Sequence, residues 1–198
     1  MSRNAKVVCF SIFFAAIIAL SSDGQILLSG GGSAYAGSGG LMPGGGVEFE
    51  YWFSLTERRE PQGLNLGVGL EYFALTTTVT KTQGSGWVFP FTIKYGFPLG
   101  RGDLQLGLGG GAAMVLSDQD VQDGFGGYYV SSVVGGAPFA EGTLYWFILG
   151  NLHLQIVLRA GALFNETGTV PFVGARLLLG YYIELPPPST DDTADEEE

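Results

Sequence analysis

Cysteine is almost missing from this 198-residue chain: the only one is Cys9, inside the N-terminal apolar stretch. Everything after that stretch lacks a thiol, which excludes a disulfide framework and a cysteine metal site. Histidine is as scarce, with His153 alone, so a site built on paired imidazoles is excluded too. Charge is thin, at 14% of residues against ~25% in soluble domains. Basic residues number nine and form no cluster, which argues against a nucleic-acid partner. Six of the nineteen acids occupy positions 191–198, so the rest of the chain is only mildly acidic. No apolar run reaches the ~18 residues of a spanning helix. The longest is Val7–Leu20, preceded by Arg3 and Lys6, with Ala19, Leu20 and Ser21 at its end as a small-residue cleavage signal. Residues 1–24 therefore read as a signal peptide for export, and Cys9 lacks the Leu-small-small context of a lipoprotein cysteine.

What the chain does have is glycine (33 residues), aromatics (13%) and alternation. In Leu152–Ala162 the even positions are all apolar, while the odd ones hold His153, Gln155, Arg159 and Gly161. Side chains of a strand alternate between faces, so this segment has one oily and one polar side. A helix would scatter Arg159 and His153 around its circumference. The same pattern recurs. Val47–Leu55 sets Phe49, Tyr51 and Phe53 against Glu48, Glu50 and Trp52, and Leu64–Ala74 sets its leucines against Asn65, Gly67, Gly69 and Glu71. Trp87–Phe97 opposes aromatics to Val88, Pro90, Thr92, Lys94 and Gly96, and Leu104–Leu116 carries Gln105, Gly107, Gly109, Gly111 and Ala113 on its small face. Near the end, Val173–Ile183 alternates against Gly174, Arg176, Leu178, Gly180 and Tyr182. With Ile26–Ala36 and Tyr128–Ile148 this gives eight strands of ~10 residues, the span of a tilted strand through a bilayer. Turns are expected at Gly37–Gly46, Thr56–Gly63, Thr76–Gly86, Pro98–Gly102, Ser117–Gly127, Gly150-Asn151 and Asn165–Thr169. Pro138 and its paired glycines predict a bulge in the sixth strand.

Alternation alone also fits a soluble barrel with its oily face inward. The composition of the faces decides otherwise. The polar face combines glycines with both signs of charge: Glu48, Glu50, Glu71 and Glu141 with Lys94, Arg159, Arg176 and the single His153. That set suits the narrow lumen of an eight-stranded barrel, which side chains fill, as a mutually neutralising network. The other face is too bulky for so small an interior, and a soluble surface would need more charge. Lipid is the solvent it fits. Aromatics gather in two rims, Tyr51, Phe53, Tyr95, Phe97, Trp146 and Tyr181 at one end and Tyr72, Trp87, Phe89 and Tyr128 at the other, as at membrane interfaces. The expected fold is all-β: a closed antiparallel eight-stranded up-and-down transmembrane β-barrel over residues 25–185. Residues 186–198, three prolines followed by acids, read as a disordered tail.

Over roughly Ile26–Leu185 this pattern resembles the small eight-stranded outer-membrane barrels of double-membraned bacteria, such as the OmpA N-terminal domain, OmpX and OmpW. The stretch Gly180, Tyr181, Tyr182, Ile183, Glu184 and Leu185 is similar to that family's assembly signal, though no terminal aromatic follows. The resemblance implies an outer-membrane address, both chain ends and the acidic tail in the periplasm, and the barrel assembly machinery as partner. It implies a non-enzymatic protein with a structural or surface-interaction role. Its partners would be outer-membrane lipid and an extracellular ligand held by the loops, with the chain a monomer. OmpW-like relatives suggest a second reading, a narrow conduit for small, mostly apolar solutes. A soluble lipocalin-like carrier is the third, although no Gly-x-Trp pair occurs.

Three further motifs point to known chemistry and fall short of it. Gly107–Ala112 resembles a dinucleotide fingerprint, but a strand continues where a helix is required. Asp118, Asp120 and Asp123 resemble part of a calcium loop without its closing glutamate, so at most a weak cation site is expected. Lipid A deacylases, which are barrel esterases, carry His-x-Ser; here His153 is followed by Leu154 and Gln155. No nucleophile accompanies the histidine, which leaves a hydrogen-bonded lumen side chain and no catalytic residue. No cofactor and no metal are expected.

Overall fold

The computed structural model describes residues 24–37, 40–53, 63–76, 83–100, 103–122, 128–166 and 168–184. The signal peptide (1–24, but for Gly24), the acidic tail (186–198) and Asp123 lie outside them. The described residues form eight strands: β1 (Gly24–Gly37), β2 (Gly40–Phe53), β3 (Gly63–Thr76), β4 (Gln83–Leu99), β5 (Leu104–Gln122), β6 (Tyr128–Leu149), β7 (Leu152–Asn165) and β8 (Gly168–Glu184). Each pairs antiparallel with the next, and β8 returns to β1 to close a barrel. Among the described residues no helix is long and apolar enough to cross a membrane.

The register fixes the bore. The ladder runs from Ile26 to Tyr51, Leu66, Ile93, Gly110, Ala140, Ala160 and Val173, and comes back to β1 at Ala36. That is ten residues from where it began. Eight strands with this displacement tilt by about 40° and leave a narrow interior that side chains largely fill.

The faces separate cleanly. Leu158 is 62% exposed on the outer wall, while Arg159 beside it is 3% exposed inside. Leu28, Ile93, Phe97, Leu108, Val173 and Leu177 share the outward side, and the buried charged side chains all point in. Water does not suit a wall so continuously apolar; hydrocarbon does. At the end where β1 begins, called the near end, Tyr95 and Phe97 pack at 4.8 Å and Tyr51 and Phe53 at 4.9 Å. At the opposite, far end Tyr72 meets Trp87 at 5.1 Å.

Several boundaries differ from the sequence expectation. The strands hold 14 to 22 residues, not about ten. Gly40–Gly46, expected as turn, pairs with β1. Gly84–Gly86 and Ser117–Gln122, expected as loops, extend the β4–β5 and β5–β6 ladders, and Gln83 pairs with Thr76 of β3. Glycine and acid content reads locally as a turn, but a strand with a paired neighbour continues until its partner stops. The bulge is also elsewhere: β6 stays in register with β5 at Pro138, opposite Ala112, and the irregularity falls at Phe147 to Leu149 against β7.

All five strand prolines follow one rule. Pro138 pairs with β5 and interrupts the ladder to β7, and Pro90 pairs with β5 where the ladder to β3 is broken. Pro43 pairs with Ala34 one residue before the β2–β3 ladder starts. Pro98 and Pro171 likewise lie just past the end of one of their two ladders. A residue without an N–H is tolerated only where one side of the strand has no partner to feed. At the near end Gly150, with φ +52°, begins the two-residue turn between β6 and β7, a conformation that suits glycine.

The register makes depth testable. Leu158→Arg on the outer wall is expected to lower folding stability in lipid vesicles by about 2–4 kcal/mol, while Leu158→Phe leaves it nearly unchanged. Urea titration of refolded protein measures both.

Candidate functional site

The lumen is the only place where the barrel concentrates polar chemistry among the described residues, and it is built in three layers. The middle layer is a plate of ion pairs. Lys94 Nζ from β4 lies 2.7 Å from Glu50, 3.0 Å from Glu141 and 3.3 Å from Glu48. Arg159 from β7 reaches Glu141 at 2.6 Å and Glu71 at 2.9 Å. Arg176 from β8 pairs with Glu48 through Nη1 and with Glu71 at 3.4 Å through Nε. Every one of these side chains is buried. Each carboxylate thus touches at least one cation, and each cation bridges at least two carboxylates.

Neutral donors complete the plate. Glu50 accepts from Asn65 Nδ2 at 2.6 Å, from Tyr145 OH at 2.9 Å and from Trp52 Nε1 at 3.1 Å. Glu71 accepts from Tyr35 OH at 2.5 Å, and Glu141 from Thr143 Oγ1 at 3.2 Å. A buried charge is tolerable only when its remaining lone pairs are met in this way. None of these donors stood out in the sequence as a site residue. Trp52 and Asn65 are on the inward face there, which was the available signal, but nothing local says which carboxylate they meet.

Glycines on the inward face make room for the large donors. A Cβ on Gly96 would lie against the Trp52 ring, and one on Gly174 against the Tyr35 ring. Toward the near end, Leu27, Trp52, Tyr145 and Tyr182 form a buried cluster, with Trp52 and Tyr145 edge to face at 5.3 Å. Toward the far end the inward residues turn apolar: Phe73, Ala113, Val115, Ala137 and Phe139 pack together. The Arg159 guanidinium covers the Phe139 ring at 4.2 Å and marks the boundary between plate and apolar layer.

The plate thus gathers Glu48, Glu50, Glu71, Lys94, Glu141, Arg159 and Arg176. His153 is inward and buried but stands apart from the ion pairs; its Nε2 lies 2.9 Å from Gln155 Nε2, and its ring is 5.8 Å from Phe147. Asp118 and Asp120 belong to β5 and not to a loop, and Asp118 accepts from Ser132 Oγ at 2.6 Å. Among the described residues no group of three or more histidine, cysteine, aspartate or glutamate side chains is placed to hold a metal.

Removing Arg159 leaves four buried carboxylates to share two cations, with Lys94 alone beside Glu141 and Arg176 alone beside Glu71. Arg159→Met is expected to destabilise the folded barrel by about 3–5 kcal/mol. Adding Glu71→Gln and Glu141→Gln to it recovers much of that loss, because Glu48 and Glu50 are then balanced by Lys94 and Arg176. Urea unfolding midpoints of the single and triple variants measure the difference.

No protein-family model matches the chain, and no curated protein matches it in sequence. Solved structures do. Neisserial surface protein A (NspA) superposes with a TM-score of 0.57 at 12% identity, over 83% of this chain and 97% of that one. Ail, the attachment invasion locus protein of Yersinia pestis, gives 0.51 at 14% identity, over 81% and 98%. A major outer membrane protein of Thermus thermophilus gives 0.51 at 14% identity, over 80% and 99%. At such identities the likeness is one of architecture: the chain has the fold of the small eight-stranded outer-membrane β-barrels.

Proposed function

We propose that the chain is a non-enzymatic integral protein of the outer membrane of a double-membraned bacterium, and that its lumen is a filled scaffold and not a passage. The observation that carries this reading is the plate. Lys94, Arg159 and Arg176 join carboxylates from β2, β3 and β6 across the bore, all of them buried. A hydrated ion would have to part these pairs, and an unpaired buried charge costs several kcal/mol. The same plate stands against the conduit for small apolar solutes, since such a molecule would have to displace charges that it cannot solvate. The apolar outer wall stands against the soluble lipocalin-like carrier.

The wall and the likeness to outer-membrane barrels of similar size both support that address. With eight strands, the start of β1 and the end of β8 share the near end, which faces the periplasm in this reading. The far end, with the long β5–β6 hairpin, is then the surface offered to an extracellular ligand. The role is envelope integrity or surface display, and outer-membrane lipid and the barrel assembly machinery are the partners. A monomer suffices, because closure leaves no sheet edge to pair.

Two measurements test this. In planar bilayers the refolded chain is expected to carry no steady ionic current; a reproducible open state would overturn the sealed lumen. In intact outer membranes, Leu158→Cys and Ala160→Cys are expected to resist a water-soluble maleimide while Ser132→Cys on the far hairpin reacts from outside. Labelling of Leu158→Cys would remove the membrane placement.

A further inference from the structure

The inward face changes character above the plate, and the change leaves space. Phe73, Val115, Ala137, Phe139 and Leu163 border a cavity of about 90 Å³ between the plate and the far mouth. Its floor is formed by Tyr35 and Arg159, and both are already engaged. The guanidinium is bonded to Glu141 and Glu71, and the Tyr35 hydroxyl donates to Glu71 and accepts from Arg159. A ligand anion finds no free cation there, and a ligand cation finds no free carboxylate.

Binding pockets in general pair apolar walls with a few polar groups aimed at the ligand. Here those polar groups face one another, so the walls alone select. An apolar cavity of this kind holds water poorly, and engineered cavities of ~150 Å³ with similar walls take up benzene. Met42 and Leu163, only partly buried at the edge, can widen this one by a change of rotamer.

We propose that this cup is a binding site for a small uncharged hydrocarbon group, up to about one aromatic ring in size, that enters from the far mouth and stops at Tyr35 and Arg159. The free small molecule and the end of an alkyl chain share this chemistry. The proposal rests on the sealed-lumen reading, because a dead-ended cup retains what a channel would pass.

The test uses the full chain refolded into amphipol, without alkyl detergent, and fluorobenzene as probe followed by fluorine NMR. Saturable binding is expected. Ala137→Phe, which fills the cup, should weaken it at least tenfold, and Leu163→Ala, which enlarges the cup, should admit naphthalene that the unaltered chain refuses. Should Ala137→Phe not fold, the enlarged variant decides alone. Absence of saturable binding overturns the proposal, as does binding that neither variant changes, since the probe would then sit on the outer wall. Competition by an octyl-chain detergent assigns a chain end as occupant, and its failure beside saturable binding assigns a free hydrocarbon; both support the cup. A current in bilayers with binding intact would remove the sealed lumen and leave the hydrocarbon site standing.

Discussion

A sheet of eight strands that closes with a ten-residue displacement has a fixed, narrow bore, and the rest of the molecule answers to it. Closure satisfies the backbone without water, which frees the outer wall to be apolar throughout. It also sends every second side chain into a narrow interior that the side chains largely fill. Whatever charge enters that space must find its counter-charge there.

The plate is the answer to that demand. Four carboxylates meet three cations, and the donors that surround Glu50 make up for the missing fourth. Asn65, Tyr145 and Trp52 supply hydrogen bonds where a second base would otherwise be needed. Such an arrangement adds little net stability over a well-packed apolar filling, because desolvation offsets most of the attraction. What it adds is specificity of closure. Glu48 on β2 and Arg176 on β8 meet only if β1 sits between their strands in the observed register. A one-residue slip of either β2 or β8 would turn that strand's charge toward lipid.

The layers divide the lumen by function. Aromatics pack the near end and ion pairs the middle, and apolar residues line an open volume at the far end. Glycine serves this division at particular points, as at Gly174, where the absence of a Cβ lets Tyr35 lie flat enough to reach Glu71. The prolines serve closure: each occupies a strand position that one neighbour leaves unpaired, so the sheet closes around them without a lost bond.

The sequence by itself determined the two faces of each strand, the number of strands and the turn at Gly150-Asn151, because a period of two is written in neighbouring residues. It also named the inward charges, since Arg159 and Glu71 sit among residues of opposite character. Tertiary structure alone decided who meets whom. Arg159 finds Glu71 88 positions away, and Arg176 finds Glu48 at 128, and such pairings depend on the tilt and displacement at closure, which no local pattern encodes. The same holds for strand length beyond the core of the wall, where Ser117–Gln122 looks like loop until β6 pairs with it. It holds for the apolar cup too: Phe73, Val115 and Phe139 lie on three strands, and only closure of the barrel makes them one surface.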